Sequence, residues 1–440
     1  MKTPSPGRTS NRPGSKALTK WIGSAMLVGA LMPLVYGQGA PERYWTSPGA
    51  RQYYYFNAAL TFSPGGSLVA WPEEIRTYST NGQMLTANQG IRVGRVGDGS
   101  EVRFVPGFPA PAFSPDGLYL ASFSTNENSY VGLDIYRLAD GQRLITIPAP
   151  QSLGGLVAFS PDGTKIATSS GGSYKVYLWN AQDGASLQTL DCGSSVWTFS
   201  FSPDGTTLAA AAGATILWQV SNGQRLRVLK NSSLPANQMG VMSLAFSPDG
   251  RLLAEGTFGY EGFYPSMGYL PAQLRLWRVA DGQLIRRFAY TARVTDDLSS
   301  ITGLGFSKDG GLLVSGSEDG SVRFWRVGDG TLLKLYDQPA GPVLDLVVSP
   351  DGRSFAWQVD TTHEVVIATM PLMTSGFARV GDQLVYSWQG GTGVYQVQTT
   401  TNLLAGSWMN FQGPTTNFEV TMPLPITNTF FRVQNVTNSP

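Results

Sequence analysis

The sequence predicts an all-β fold: a seven-bladed β-propeller followed by a small β-sandwich. A turn string of the type Phe-Ser-Pro-Asp-Gly recurs seven times, at intervals of 42 to 60 residues. Apolar, strand-like segments flank the copies, and the pattern stops after Pro371. A repeat period in the forties that is built from strands indicates propeller blades, one for each copy.

The first 40 residues are predicted to be a secretory signal peptide. Residues 1–41 contain five basic residues and no Asp or Glu, and an apolar run extends from Trp21 to Tyr36. Such a run is typical of a cleaved export signal and short for a membrane span, so cleavage is favoured over retention as an anchor. Cleavage removes five positive charges and takes the formal charge from +1 to −4. A mildly acidic chain gives no reason to expect nucleic acid or an anionic membrane as a ligand.

Residues 42–371 are predicted to form the propeller. The seven turn strings begin at Phe62, Phe113, Phe159, Phe201, Phe246, Phe306 and Val348. Ser-Pro-Asp-Gly suits a type I turn, because Pro fixes φ at the second position and Gly permits the exit conformation. A second turn, Asp-Gly or Asn-Gly, suits a tight hairpin. Each repeat is therefore an antiparallel meander of strands a, b, c and d, and the third strand commonly ends at an aromatic residue: Tyr136, Trp179, Trp218, Trp277 or Trp325.

These repeats resemble the WD40 family along the propeller region, most closely in FSKDG…SGSEDGSVRFWRVGDG, residues 306–330. The Gly-His pair of that family is missing, since the chain's single histidine is His363. The Trp-Asp pair is missing too, because Trp179 is followed by Asn, Trp218 by Gln, and Trp277 and Trp325 by Arg. The hydrogen-bonded tetrad that braces many WD40 blades therefore cannot be complete. Ser315, Asp319 and Trp325 keep matching places in blade six alone, and the other blades are expected to rely on apolar packing. The resemblance implies a protein-interaction scaffold.

Closure of the ring is also predicted. Repeat seven loses its pattern before a fourth strand, whereas two strand-like segments, Arg43–Thr46 and Tyr53–Phe56, precede repeat one. We expect one of these segments to supply the outer strand of blade seven, because closure removes an exposed edge that invites aggregation.

The candidate binding surface lies on one face of the ring. In a meander, both tight turns share one face, while the b–c and d–a loops share the opposite, variable face. The longest aromatic loop is the b–c loop of repeat five, Phe258 to Gln273, and aromatic side chains on loops over a rigid scaffold suit recognition. The alternative is that this loop folds back as a lid. With the following d–a loop, the candidate residues are Phe258, Tyr260, Phe263, Tyr264, Met267, Tyr269, Arg293, Asp296 and Asp297.

Catalytic residues, cofactors and metal sites are not predicted. One histidine and one cysteine exclude a histidine or thiolate cluster, and the Asp-Gly pairs lack the spacing of a calcium loop. The sequence has no nucleophile elbow, phosphate loop or dinucleotide fingerprint. His363 is expected to be a solvated loop residue, with a general base as the alternative. Cys192 cannot form an internal disulfide and is expected to pack between blades.

The tail, residues 376–436, is predicted to be a separate small β-sandwich. Short alternating segments with Gly, Pro and Asn turns support this prediction. The tail contains the landmarks Trp-Gln-Gly (388–390), Tyr-Gln-Val-Gln (395–398), Gly-Ser-Trp (406–408) and Phe-Phe-Arg-Val (430–433). On these it resembles a C-terminal module of secreted proteins of environmental bacteria, with a shape similar to that of fibronectin type III domains. That resemblance implies a surface or extracellular setting.

The leading functional hypothesis is a non-enzymatic scaffold that binds a protein or peptide across the variable face, in the periplasm or outside a bacterial cell. One alternative is adhesion to polysaccharide or cell envelope, since aromatic rings also stack on sugars. The other alternative is a propeller hydrolase or lactonase, which requires Asp, Glu or Arg residues that converge at the mouth of the central channel.

Overall fold

The structure is a computed structural model that describes residues 43–48, 60–78, 84–107, 110–126, 129–148, 155–169, 174–229, 240–261, 269–270, 272–290, 300–337, 341–359, 364–371, 373–380, 383–389, 395–400, 409–410, 419–423 and 430–435. Every regular element within these ranges is a β-strand. The same ranges hold no helix of the length and apolar character needed to span a bilayer.

The chain begins its described part with a single strand and then runs through the first three blades. These strands are β1 (Arg43–Pro48); β2 (Thr61–Phe62), β3 (Leu68–Tyr78), β4 (Met84–Arg95) and β5 (Glu101–Pro106) of blade 1; β6 (Ala112–Phe113), β7 (Tyr119–Asn126), β8 (Ser129–Arg137) and β9 (Arg143–Ile147) of blade 2; and β10 (Leu156–Phe159), β11 (Lys165–Ser169), β12 (Lys175–Asn180) and β13 (Ser186–Asp191) of blade 3.

Blades 4 to 7 follow the same plan, with one inserted hairpin in blade 5. Their strands are β14 (Thr198–Phe201), β15 (Thr207–Ala211), β16 (Thr215–Gln219) and β17 (Arg225–Leu229); β18 (Val241–Phe246), β19 (Leu252–Thr257), the hairpin β20 (Tyr260–Glu261) and β21 (Tyr269–Leu270), β22 (Leu274–Arg278) and β23 (Leu284–Arg287); β24 (Ile301–Phe306), β25 (Leu312–Ser317), β26 (Ser321–Arg326) and β27 (Leu332–Asp337); and β28 (Val343–Val348), β29 (Ser354–Val359) and β30 (Glu364–Thr369).

The seven sheets form a closed ring. Each sheet has four antiparallel strands, and the innermost strands β2, β6, β10, β14, β18, β24 and β28 contact one another in that order, with β28 returning to β2. The outer strand of blade 7 is β1, which pairs antiparallel with β30. The predicted closure is therefore confirmed, and the first of the two candidate segments, Arg43–Thr46, lies in the closing strand.

The hydrophobic core is divided among the seven interfaces between neighbouring blades. Each interface contains one cluster of buried apolar side chains, including the interface between blades 7 and 1. Strand b contributes buried side chains to the interfaces on both sides of every blade, because successive strand residues point to opposite sides of a sheet. The fully buried pairs are Val69-Ala70, Leu120-Ala121, Ile166-Ala167, Leu208-Ala209, Leu253-Ala254, Leu313-Val314 and Phe355-Ala356.

The a–b turns form an inner ring on the regular face. In blade 4, Gly205 N donates to Ser202 O at 2.8 Å, and Gly205 has φ +70° as the predicted turn requires. The Ser202 hydroxyl and the Asp204 carboxylate are 2.5 Å apart. A Cβ on Gly205 would lie 3.5 Å from Pro161 of the preceding turn, so successive turns pack against each other. Both the turn geometry and its place on one shared face are as the sequence predicted.

The tail contains two further sheets among its described residues. These are β31 (Met373–Val380), β32 (Gln383–Gln389) and β35 (Glu419–Pro423) in one sheet, and β33 (Tyr395–Thr400), β34 (Met409–Asn410) and β36 (Phe430–Asn435) in the other. The strand content agrees with the prediction of an all-β tail. The β-sandwich itself stays a prediction.

Candidate functional site

The b–c loop of blade 5 begins with a packed aromatic residue. Phe258 follows β19 directly, and its backbone N–H donates to Gly240 O at 3.0 Å. Its half-buried ring meets the ring of Trp197 edge-on, with centroids 5.2 Å apart and planes at 80°. Edge-to-face aromatic pairs of this kind stabilise by about 1 kcal/mol beyond their buried area. This contact joins blade 5 to the start of blade 4 on the variable face.

The remaining loop residues are only partly described. Tyr260 and Tyr269 lie on opposite strands of the β20–β21 hairpin, where Tyr260 pairs with Leu270 and Glu261 pairs with Tyr269. The hairpin is attached to the blade through Thr257, whose Oγ1 accepts a hydrogen bond from Gln273 N at 2.8 Å. The predicted residues that lie outside the described ranges are Phe263, Tyr264, Met267, Arg293, Asp296 and Asp297.

Trp197 is the site residue that the sequence reasoning missed. It lies directly before β14 and is half-buried, so part of its indole stays accessible. The repeat pattern does place Trp197 at the variable-face end of strand a, where a large aromatic residue directly before an inner strand could have been noticed. Its contact with Phe258 could not be predicted from the repeat, because the two residues belong to different blades. The described aromatic site therefore consists of Trp197 and Phe258.

Three tryptophans of the structural repeat are hydrogen-bonded within their own blade. The indole N–H of Trp179 donates to Thr168 Oγ1 at 2.9 Å, and that of Trp325 donates to Ser315 Oγ at 3.0 Å. In blade 5, Trp277 donates to Glu255 Oε2 at 2.5 Å. The expectation that blades other than the sixth rely on apolar packing alone is therefore wrong for blades 3 and 5, because strand b supplies an acceptor there.

Blade 4 has a tryptophan without such an acceptor. Trp218 pairs with Leu208 of strand b, and the position two residues further on, which supplies the acceptor in blades 3, 5 and 6, is Ala210, which has no polar side-chain atom. Among the described residues the indole N–H of Trp218 has no oxygen partner and lies beside the Cys192 thiol. Cys192 is buried in the cluster between blades 3 and 4, as expected, and burial raises its pKa to about 11. A thiol of this pKa is protonated at neutral pH, so it packs as a small apolar group.

Blades 1 and 7 place their tryptophan on a different strand. Trp71 and Trp357 lie on strand b, and the strand c position that holds a tryptophan in blades 3 to 6 is Gly94 or Ala368. A Cβ on Gly94 would lie 2.9 Å from the Trp71 ring, so the glycine makes room for it. Both tryptophans are fully buried.

Blade 6 contains a buried polar network around Asp319, the residue that the resemblance singled out. Arg323 Nη2 lies 2.7 Å from Asp319 Oδ2, and the guanidinium stacks over the Tyr290 ring at 4.2 Å. The Tyr290 hydroxyl is 2.6 Å from Ser317 Oγ and 3.2 Å from Asp319. Tyr290, in the loop before the blade, therefore completes a polar network in a blade that has no histidine.

Burial and neighbouring groups shift the pKa values of the ionisable residues in these networks. Burial opposes ionisation of Asp319, but the Arg323 guanidinium and the Ser321 hydroxyl outweigh it, and the pKa of Asp319 is lowered. Burial raises the pKa of Tyr290 to about 12. In blade 5, burial also raises the pKa of Glu255, whose carboxylate lies 3.6 Å from Arg275 Nη1. These groups bond one another inside the blades, so the arrangement is structural.

Within the described ranges, no group of three or more His, Cys, Asp or Glu residues has the arrangement to hold a metal ion. His363 lies outside those ranges.

Comparison with known proteins identifies the repeats. The family model described as WD domain, G-beta repeat matches residues 184–218, 228–256 and 290–326. Each match begins near the end of one blade and ends in strand b or c of the next, in the register of blades 4, 5 and 6.

Two curated proteins share part of the sequence. The chain is 28% identical over 137 residues to the WD repeat-containing protein slp1 of Schizosaccharomyces pombe. This alignment covers 30% of this chain and 25% of that protein. It is 36% identical over 86 residues to the uncharacterized WD repeat-containing protein sll1491 of Synechocystis, which covers 20% of this chain and 23% of that protein. The chain thus spans about a quarter of the length of these relatives. The matched segments and the closed ring together show WD40-type repeats in a seven-bladed β-propeller, and WD40 propellers are typically scaffolds for protein interactions.

Proposed function

We propose that this propeller is a non-enzymatic scaffold outside the cytoplasm, which binds a protein or peptide across the variable face of blades 4 and 5. The observation that carries the proposal is the Trp197–Phe258 pair. Two large aromatic residues from different blades are half-buried there, beside the loop with the greatest aromatic content. Rigidly held aromatic residues are common anchors of protein interfaces, because they bury much area at little cost in conformational entropy.

The setting in the periplasm or outside a bacterial cell is supported by the sequence of residues 1–40, with its basic start and short apolar run. Cell fractionation tests this part of the proposal. The full chain should appear in the exported fraction without residues 1–40, whereas a chain that lacks them should stay in the cytoplasm. Recovery of the full-length, uncleaved chain in the cytoplasm would contradict it.

Crosslinking and affinity capture from the exported fraction test the binding face. Two variants separate the parts of the site: one replaces residues 260–270 by a short turn, and the other is Trp197→Ala. The first variant retains Phe258 and Gln273, whose backbone bonds hold the loop to the blade. A partner captured by the intact chain should be lost in both variants. A matched control is Tyr174→Ala, an exposed aromatic residue of blade 3.

The alternatives predict different outcomes of the same design. If polysaccharide is the ligand, affinity electrophoresis in glycan gels should retard the intact chain, and added protein should not compete. If both variants capture the same partners as the intact chain, the aromatic residues serve packing and the proposed face is wrong. Hydrolysis of an ester or a lactone by the folded chain would contradict the non-enzymatic part of the proposal.

A further inference from the structure

The outer strands of blades 1 to 6 share a β-bulge at the same position. One residue of strand d is left without a partner in strand c, and it is aliphatic each time: Val102, Leu144, Leu187, Leu226, Ile285 and Leu333. Four of them, in blades 2 to 5, are 36 to 48% exposed. A bulge turns its extra residue away from the regular ladder, so it presents an apolar side chain at the rim.

The charges around these bulges differ between blades. In blade 2, the exposed Arg143 lies 3.4 Å from the buried Asp134. The outer strand of blade 3 has no basic residue and contains Asp191. The outer strands of blades 4 and 5 contain two arginines each and no acidic residue. The sequence from residue 205 to residue 248 contains no Asp or Glu at all. The rim therefore turns basic at blades 4 and 5.

Hydrogen bonds join the two basic strands to the next blade. Arg227 Nη2 donates to Ala280 O at 3.0 Å, in the c–d turn of blade 5. Arg286 donates from Nη1 to Asp329 O at 2.6 Å and from Nη2 to Gly328 O at 2.8 Å, in the c–d turn of blade 6. These bonds hold two guanidinium groups against the turns, while Arg225 and Arg287 are exposed.

Three arginines beside the c–d turns of other strands are neutralised locally. Arg137, Arg278 and Arg326 each pair with the aspartate three residues ahead in the c–d turn. Arg225 has no carboxylate partner within the described ranges. An exposed aliphatic residue flanked by a single sign of charge is complementary to a ligand that carries both apolar side chains and carboxylates.

We propose that the outer edge of blades 4 and 5 is a second interaction surface, which binds an acidic segment of a partner protein. Aliphatic side chains of that segment contact Leu226 and Ile285, and one of its carboxylates pairs with Arg225. The bulges disfavour simple addition of a strand, because they interrupt the regular edge that such pairing needs. Recognition at this edge is therefore made by side chains. This surface is separate from the aromatic pair on the variable face and does not depend on it.

Fluorescence anisotropy with a labelled peptide in which Glu alternates with Leu tests the proposal. The matched peptide has Lys in place of Glu, and only the acidic peptide should bind, with an affinity that falls as salt is added. Arg225→Glu should weaken binding about tenfold or more, because it reverses an exposed charge at the interface. Leu226→Ser should also weaken it. Leu187→Ser, at the equivalent bulge of blade 3, should leave the affinity unchanged.

Three results would overturn this proposal: equal binding of the Lys peptide, no effect of Arg225→Glu, or stronger binding of dextran sulfate than of the acidic peptide. The last result would assign the edge to anionic polysaccharides. The variants replace exposed side chains, so unchanged thermal melting confirms that they stay folded. Trp197→Ala should abolish capture at the variable face and leave the acidic peptide bound, so the two proposals fail independently.

Discussion

Blades 1 and 7 differ from blades 3 to 6 in where the large aromatic side chain originates. In blades 3 to 6 a tryptophan on strand c fills the interface, whereas in blades 1 and 7 it comes from strand b and the strand c position is small. The tryptophan faces the preceding blade in both arrangements. The packing of a protein interior depends on the total volume and shape of its side chains. A large residue on strand b with a small one on strand c can therefore fill the same space as the reverse arrangement.

The two end blades also meet through a buried carboxylate. Leu60 N of blade 1 donates to Asp345 Oδ2 of blade 7 at 2.9 Å, and Asp345 is buried. The blade 7 sheet is completed by β1, from the other end of the propeller region. The interface where the ends of the ring meet thus combines an added strand with a charged acceptor, whereas blades 5 and 6 are joined at the equivalent position by the Ser243 hydroxyl.

Loss of the closing strand should have the largest effect. A chain that starts at Leu60 lacks β1 and leaves β30 as an unpaired edge. We expect it to lose its single cooperative melting transition, a change comparable with the stability of a whole domain, on the order of 5 kcal/mol. Scanning calorimetry measures this, with a chain that starts at Arg43 as the control. An unchanged transition would show that blades 1 and 7 hold together without β1.

Asp345→Ala should have the next largest effect. The Asp345 carboxylate accepts from Leu60 N at 2.9 Å and from Leu346 N at 2.7 Å, and alanine leaves both buried donors without it. Buried groups without partners cost about 1–3 kcal/mol each, so denaturant melts should show a loss of about 2–4 kcal/mol. Ser243→Ala removes only the bond to Ile301 O between blades 5 and 6 and should cost about 1 kcal/mol. Equal losses would mean that the end blades are not specially bound.

Two matched substitutions sharpen the comparison among the middle blades. Trp179→Phe removes an indole N–H that donates to Thr168, whereas Trp218→Phe removes one that has no oxygen partner. Both variants lose similar apolar area, so their difference isolates the hydrogen bond. We expect Trp179→Phe to cost about 1 kcal/mol more in urea unfolding. The reverse order would show that the Cys192 contact of Trp218 matters more than a bond to oxygen.

The smallest effect concerns the turn carboxylates. In blade 4, the Ser202 hydroxyl lowers the pKa of Asp204, whereas the corresponding turn residue of blade 1 is Gly65. A lowered folded-state pKa stabilises the fold above the unfolded-state value near 4, and this stabilisation is lost as the pH falls through the folded-state pKa. Asp204→Asn should therefore be slightly less stable than the parent at pH 7 and equal to it near pH 2. A constant difference in urea midpoints across this range would contradict the assignment.

The repeats carried most of the fold in the sequence, because five of the seven turns combine Pro, Asp and Gly in the same order and the other two keep the final Gly. Blade number, the shared face of the turns and closure by one of two N-terminal segments followed from that spacing, whereas the choice of Arg43–Thr46 came from the structure. The position of the tryptophan on strand b in blades 1 and 7 could not be predicted in this way. The repeat pattern does not show that Trp71 and Trp357 fill the space that a strand c tryptophan fills in blades 3 to 6. The Trp197–Phe258 contact also escaped prediction, because it joins residues from different blades.

The pairing of β1 with β30 has a consequence for synthesis. The first strand of the ring to be made pairs with the last, so it stays without its partner while roughly three hundred further residues are added, and such long-range pairing is slow to form. Until blade 7 is complete, the nascent chain presents two open ends with apolar faces. A chaperone that shields these ends would therefore be needed only until residues 364–369 have been synthesised and can pair with β1.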